Sequence, residues 1–217
     1  MEIIDFNTTD SLINRFVAEL RDRDIQTDRM RFRRNAVRIG EAMAYEISKR
    51  LEYSAKQVVT PLGTAEVRTP DDDVVLCTIL RAGLVFHEGF LNFFDEAGNA
   101  FVSAYRRYTD DTHFDIVTEY LASPGIDGKT LIITDPMLAT GCSMETCYHA
   151  MLAKGTPRRI HIASIIATRQ AIDHISSIFP DATTTVWCAA IDPTLNEHSY
   201  IVPGLGDAGD LAYGDKD

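Results

Sequence analysis

Long apolar runs are missing from this chain. No stretch of its 217 residues approaches the ~20 apolar residues that a helix needs to cross a bilayer. A membrane partner is not expected. Basic charge is also scarce, with 21 Lys and Arg against 32 Asp and Glu and a formal net charge of −11. Sequence-independent nucleic-acid binding needs a basic face, so that partner class is not expected either. The acidic balance is no obstacle to a small anion, because loop dipoles close to a ligand outweigh a distant field. Cysteine is limited to four residues with no C-x-x-C pair, which excludes a disulfide framework. Free thiols in a reducing cytoplasm are the expectation. The six histidines show no H-x-x-x-H spacing, and no all-protein metal cage is visible. Met1-Glu2-Ile3-Ile4-Asp5 is not the start of a signal peptide. Internal repeats, low-complexity tracts and linkers are absent, so 1–217 reads as one domain.

What is present suffices for one sizeable core, at 45% hydrophobic residues. Leu12, Ile13, Phe16, Val17 and Leu20 recur at helical spacing over Ser11 to Arg21. Thr27 or Asp28 can cap a second helix running to about Leu51, with Phe32, Val37, Ala44, Ile47 and Leu51 on its apolar face. Its Arg29, Arg31, Arg33, Arg34 and Arg38 read as a solvated face, or alternatively as a docking surface for a partner subunit. Two strand-like runs flank Pro61-Leu62-Gly63, a hairpin signal that makes 52–70 a projecting arm.

From Asp73 onward strand and helix alternate. Strands are expected over Val74 to Leu80, Ala100 to Arg106, Thr130 to Thr134, Ile160 to Ala167 and Thr183 to Ile191. Helices are expected over Leu84 to Phe94, Ser143 to Lys154 and Arg169 to Phe179. That alternation predicts an α/β fold, a parallel sheet with helices on both faces. A polar excursion over 107–129 reads as a flexible flap.

The most informative stretch is Asp135-Pro136-Met137-Leu138-Ala139-Thr140-Gly141-Cys142-Ser143. It joins a buried strand to a helix, so backbone N–H groups and a helix N-terminus meet at the sheet's carboxyl edge. A phosphate fits there without a lysine. Asp135 would point a carboxylate at whatever the phosphate is attached to, and its bland role is a helix N-cap. A carboxylate followed by a phosphate cradle suits a sugar phosphate. Cys142, beside a helix N-terminus, is either a reactive thiol or a buried inert one.

This loop resembles the signature of phosphoribosyltransferases, and more narrowly of uracil phosphoribosyltransferases, where a second glycine usually stands at Cys142. Two more stretches carry the resemblance: Ile79-Leu80-Arg81-Ala82-Gly83 and the run from Asn196 to Asp210. The resemblance implies a phosphoribosyltransferase-like fold with an N-terminal helical segment, a hairpin arm and a hood. It implies transfer of a phosphoribosyl group from 5-phosphoribosyl 1-pyrophosphate (PRPP) to uracil, giving UMP. Asp135, Asp207 and Arg81 would be catalytic. PRPP would be held by Arg81, Arg106, Asp135, Pro136, Met137, Leu138, Ala139, Thr140, Gly141, Cys142, Ser143 and Asp207. Arg106 takes that role from a Tyr-Arg pair, with Arg107 as the alternative. Ile201, Gly206, Asp207 and Ala208, within the segment 192–217, would bind uracil. Glu88 would have a supporting role. Mg²⁺ would arrive mainly with PRPP, and the arm would help build a homodimer or higher homo-oligomer.

Two other readings share the scaffold. One is a non-catalytic regulator that senses PRPP or a nucleotide; the other is a phosphoribosyltransferase for another base. The acidic balance opposes an RNA-binding regulator, and the intact C-terminal loop favours turnover. No residue stands out as the base for uracil N1; water, pyrophosphate and Asp207 all remain open.

Overall fold

In the computed structural model, residues 1–108 and 114–216 are described, without the side chains of 104–119. The core is a mixed sheet in the order β1-β10-β9-β7-β4-β5-β6. Its strands are β1 (Glu2–Asp5), β4 (Val74–Leu80), β5 (Gly98–Tyr108), β6 (Phe114–Ala122), β7 (Thr130–Thr134), β9 (Arg159–Thr168) and β10 (Thr184–Asp192). A two-residue strand, β8 (Met137–Leu138), adds to β9. All pairings within this sheet are parallel except β5 with β6.

β4 and β7 are buried on both faces, which is why they read as unbroken β-branched and apolar runs. Successive residues still go to opposite sides. Val74 and Leu76 enter one core cluster, while Val75, Cys77 and Ile79 enter the other. The first cluster is closed by the helices α1 (Leu12–Arg21), α2 (Arg29–Ser48), α3 (Gly83–Leu91) and α6 (Ala208–Tyr213). The second is closed by α4 (Cys142–Leu152) and α5 (Arg169–Ser176). No helix among the described residues is long and apolar enough to cross a membrane.

The expected α/β sheet with helices on both faces is present and mostly parallel. At one edge β6, inside the segment read as a flap, pairs antiparallel with β5. The expected N-terminal helical segment is α1 and α2, and β1 ahead of it adds the opposite edge beside β10. The arginines of α2 are not simply solvated. Arg31 bonds Glu19, and with Asn35 it holds the Glu19 carboxyl down to about 2. Arg33 donates to the Ala212 carbonyl at 2.7 Å, and Arg38 lies over the Phe16 ring.

The hairpin is present as β2 (Tyr53–Thr60) and β3 (Gly63–Pro70), which pair only with each other. Residues 55–64 are largely exposed, with Leu62 fully so at the tip.

Candidate active site

The chain runs outward from β4 through α3 to β5 and β6, then returns to place β7 on the other side of β4. α3 and α4 therefore leave neighbouring strands toward opposite faces, and a crevice opens beyond the strand ends. Open α/β sheets bind ligands at such a switch point. Thr78 and Thr134 stand in register there. The Thr78 hydroxyl donates to the Thr134 carbonyl at 3.3 Å, and the Thr134 hydroxyl donates to the Cys77 carbonyl at 3.2 Å.

The helix starts differ in a telling way. Ser11, Asp28, Thr168 and Asp207 cap α1, α2, α5 and α6 through their side chains. Ala82 and Gly141, which precede α3 and α4, provide no such bond. The two uncapped starts are the two at the switch point. Among the described residues, no acceptor takes the N–H groups of Thr140, Gly141, Ser143 or Met144. Unpaired N–H groups at a helix start form an anion cradle. Cys142 is the first residue of α4, one earlier than expected, and its N–H reaches the Thr140 hydroxyl at 3.4 Å.

The start of α5 braces this loop from behind. Thr168 donates its hydroxyl to the Ala139 carbonyl at 2.7 Å while accepting the Ala171 N–H at 3.0 Å. Gly141 has φ +86°, and a Cβ there would lie 2.8 Å from the His174 ring, so glycine is required twice over. His174 Nε2 pairs with Glu145 Oε2 at 2.8 Å, tying α5 to the first turn of α4. No motif reading found Thr168, His174 or Glu145; only the capping threonine left a local signal, ahead of its helix.

Asp135 ends β7 and accepts the Met137 N–H at 3.2 Å. It does not cap α4, which removes its bland role. Burial pushes its carboxyl from the usual 3.8 up to about 7, and the Met137 bond offsets only part of that.

The structure brings Arg81 to the C-terminal segment. Its guanidinium donates to Asp210 at 2.7 Å and reaches the Gly214 carbonyl at 3.4 Å. This segment is no frayed tail, because Ile201, Leu205, Ala208 and Ala212 bury their side chains in the first core cluster. β11 (Thr194–Leu195) and β12 (Ile201–Val202) pair at its base. Asp207 caps α6 by accepting the Gly209 and Asp210 N–H groups. Burial alone would raise the Asp207 carboxyl; those amides and the Lys216 ammonium outweigh it and hold the group below its usual range. Gly206, Asp207 and Asp210 line a cavity of about 340 Å³ together with Gln26, Thr27 and Arg29. That contribution from the α1–α2 connection was not foreseen in the sequence. Glu88 is exposed on α3. The side chains of Arg106 and Arg107 lie outside the described residues.

No group of three His, Cys, Asp or Glu residues gathers at one point among the described residues. Asp207, Asp210 and Asp215 line the cavity, and Asp210 also accepts from Arg81. That donor set fits a divalent ion bringing most of its own oxygen ligands on a diphosphate.

The family model described as uracil phosphoribosyltransferase matches residues 8–215. The chain belongs to the uracil phosphoribosyltransferase family. A uracil phosphoribosyltransferase of Porphyromonas gingivalis is 64% identical over 216 residues, covering 100% of both chains. One from Methanothermobacter thermautotrophicus is 42% identical over 185 residues, 84% of this chain and 83% of that protein. The solved structure of the AQ2163 protein from Aquifex aeolicus superposes with a TM-score of 0.87 at 29% identity and 98% coverage of each chain.

Two outcomes are expected from this geometry. The raised Asp135 pKa means that the folded protein favours the protonated acid. Its stabilising effect is complete below 3.8 and is lost as pH rises toward about 7. Asp135→Asn should therefore melt higher than the parent at pH 8, by roughly 5 °C, and melt alike at pH 4. Equal differences at both pH values would remove the buried charge as the cause. Second, Cys142 is partly exposed, whereas Cys77, Cys147 and Cys188 are buried. The Cys77 contact and burial push the Cys147 thiol up, and burial does the same to Cys188. Iodoacetamide should label Cys142 first by peptide mapping, and inorganic phosphate should slow that labelling.

Proposed function

We propose that the protein catalyses pyrimidine salvage, transferring the 5-phosphoribosyl group of PRPP to uracil with release of pyrophosphate. The observation that carries this reading is the pair of uncapped helix starts at the switch point, joined by Arg81 and Asp210 to a fixed C-terminal loop. One uncapped start suits the 5′-phosphate and the other the diphosphate, and the loop presents main-chain groups to a base.

In this reading the N–H groups around Thr140 to Met144, with the Thr140 and Ser143 hydroxyls, hold the 5′-phosphate. Asp135 accepts the ribose hydroxyls and offsets positive charge as the C1–oxygen bond lengthens. Arg81 turns from Asp210 to the departing pyrophosphate. Phosphoribosyltransferases generally use Mg²⁺ with PRPP; Asp207 and Asp210 would help hold the ion, which would supply neutralisation of diphosphate charge. Uracil N1 forms the new bond to C1 as pyrophosphate leaves. The N1 proton goes to water, pyrophosphate or Asp207, whose Oδ1 already accepts two backbone N–H groups. Catalysis is then mostly positioning and fixed electrostatics. The hairpin's exposed Val58, Val59, Leu62 and Val67 suit a second copy of the chain in a homo-oligomer. A cytoplasmic location fits such an enzyme.

With Mg²⁺, the protein should convert uracil and PRPP to UMP and pyrophosphate. PRPP binding without UMP formation would favour the sensing regulator. For Asp135→Asn, turnover should fall by about a hundredfold or more. In the parent, kcat/KM for PRPP should rise with pH around 7 as Asp135 loses its proton, and that limb should vanish in the variant.

Base choice gives a separate expectation. Uracil presents acceptor, donor and acceptor at O2, N3–H and O4. Main-chain groups of Ile201, Gly206 and Ala208 would answer with donor, acceptor and donor. Cytosine reverses the last two, leaving buried groups unpaired on both sides. Discrimination of about 10⁴ in kcat/KM is expected, with 5-fluorouracil accepted and purines too large. Comparable values for uracil and cytosine would exclude this use of the loop.

A further inference from the structure

Arg21 and Asp192, 171 residues apart in the chain, form an ion pair to which neither the phosphate loop nor the Arg81 stretch contributes. Asp192 ends β10 and is buried; Arg21 ends α1. The guanidinium meets the carboxylate with both terminal nitrogens, at 2.7 and 2.8 Å. A surface pair would do little more than hold two side chains. This pair has a third member. Asp192 Oδ2 accepts the Gly204 N–H at 2.8 Å, and Arg21 donates to the Gly204 carbonyl at 2.9 Å. The peptide groups on both sides of Gly204 are thus fixed by one ion pair, its carboxylate buried and its guanidinium partly so.

Gly204 lies between Ile201 and Gly206, within the stretch assigned above to the base. It has φ +57°, and a Cβ there would come within 2.1 Å of the Ile201 carbonyl. The turn therefore folds back on Ile201, and the orientation of Gly204 sets where the chain points on either side. Arg21 also acts in a second direction. Its own carbonyl accepts the Gln26 side-chain amide at 3.0 Å, and Gln26 lines the 340 Å³ cavity with Gly206 and Asp207. One residue thus anchors both the loop and the wall facing it.

We infer that Arg21 and Asp192 are positioning residues for base recognition, acting through Gly204 and Gln26. The inference rests on the reading of 201–208 as the base loop. The pair touches no base itself. It holds main-chain donors and acceptors at fixed spacing, so that hydrogen-bond readout can reject a wrong base. Loss of either charge frees the loop and leaves the partner charge buried without its counter-ion.

The test is steady-state kinetics with Mg²⁺ on the parent, Asp192→Asn and Arg21→Lys, each checked for folding by circular dichroism and thermal melting. For Asp192→Asn, KM for uracil should rise about tenfold or more while KM for PRPP stays within about twofold, since misplacement by about an ångström has effects of this size. The preference for uracil over cytosine should shrink in the same variant. Arg21→Lys, which keeps the charge but cannot reach the carboxylate and Gly204 together, should lie between the two. If Asp192→Asn does not fold, Arg21→Lys decides by the same ratio of KM changes. An unchanged uracil KM, or equal rises for uracil and PRPP, would overturn the inference. Failure of the parent to form UMP would instead overturn the functional reading on which it rests.

Discussion

Two threonine hydroxyls at the centre of the sheet set the geometry on which everything else depends. Thr78 and Thr134 are fully buried, in register, and each bonds a carbonyl of the other's strand. They lock β4 to β7 at the level where both strands give way to loops. The chain then leaves in opposite directions, and the two helix starts face one crevice. Gly83 belongs to the same lock, since a Cβ there would come 2.3 Å from the Thr78 hydroxyl. The glycine two residues after Arg81 thus answers a packing demand at the strand end.

An acidic protein with an anion site resolves its electrostatics locally. The net charge is −11, yet the crevice is bordered by unpaired amides and Arg81. Such dipoles are fixed by the fold and need no reorganisation when a phosphate arrives. The cost appears at Asp135, a carboxyl held where burial raises its pKa to about 7. A residue that weakens the empty protein at neutral pH is consistent with a role fulfilled only when ligand is present.

Much of the fold was legible because its signals are local. β4, β7, β9 and β10 announce themselves as β-branched runs, and the Asp135–Ser143 loop carries its glycine and helix start together. β1 gave no such signal, being four residues long and largely exposed. β6 was hidden because an edge strand need not alternate. In the site, Asp135, Arg81 and the C-terminal loop could be read from the chain, whereas Thr168, His174 and Arg21 could not. Their partners are distant in sequence, and a pair such as Arg21 with Asp192 leaves no periodicity behind. The arginines of α2 show the same limit, since a run of charge on a helix does not reveal that three of its members have partners inside the protein.

The pairing of β1 with β10, and of Arg21 with Asp192 across 171 residues, also bears on how the chain is made. During synthesis the N-terminal segment emerges long before the strand that receives it. Until β10 leaves the ribosome, one edge of the growing sheet is bare and the α1 ion-pair partner is missing. Contacts of such span slow folding and expose unpaired edges in the meantime. The central β4–β7 lock can form earlier, from a shorter length of chain. The β4–β7 crevice can therefore take shape before β10 is made, whereas the Gly204 turn has its ion-pair anchor only once β10 lies beside the N-terminal segment.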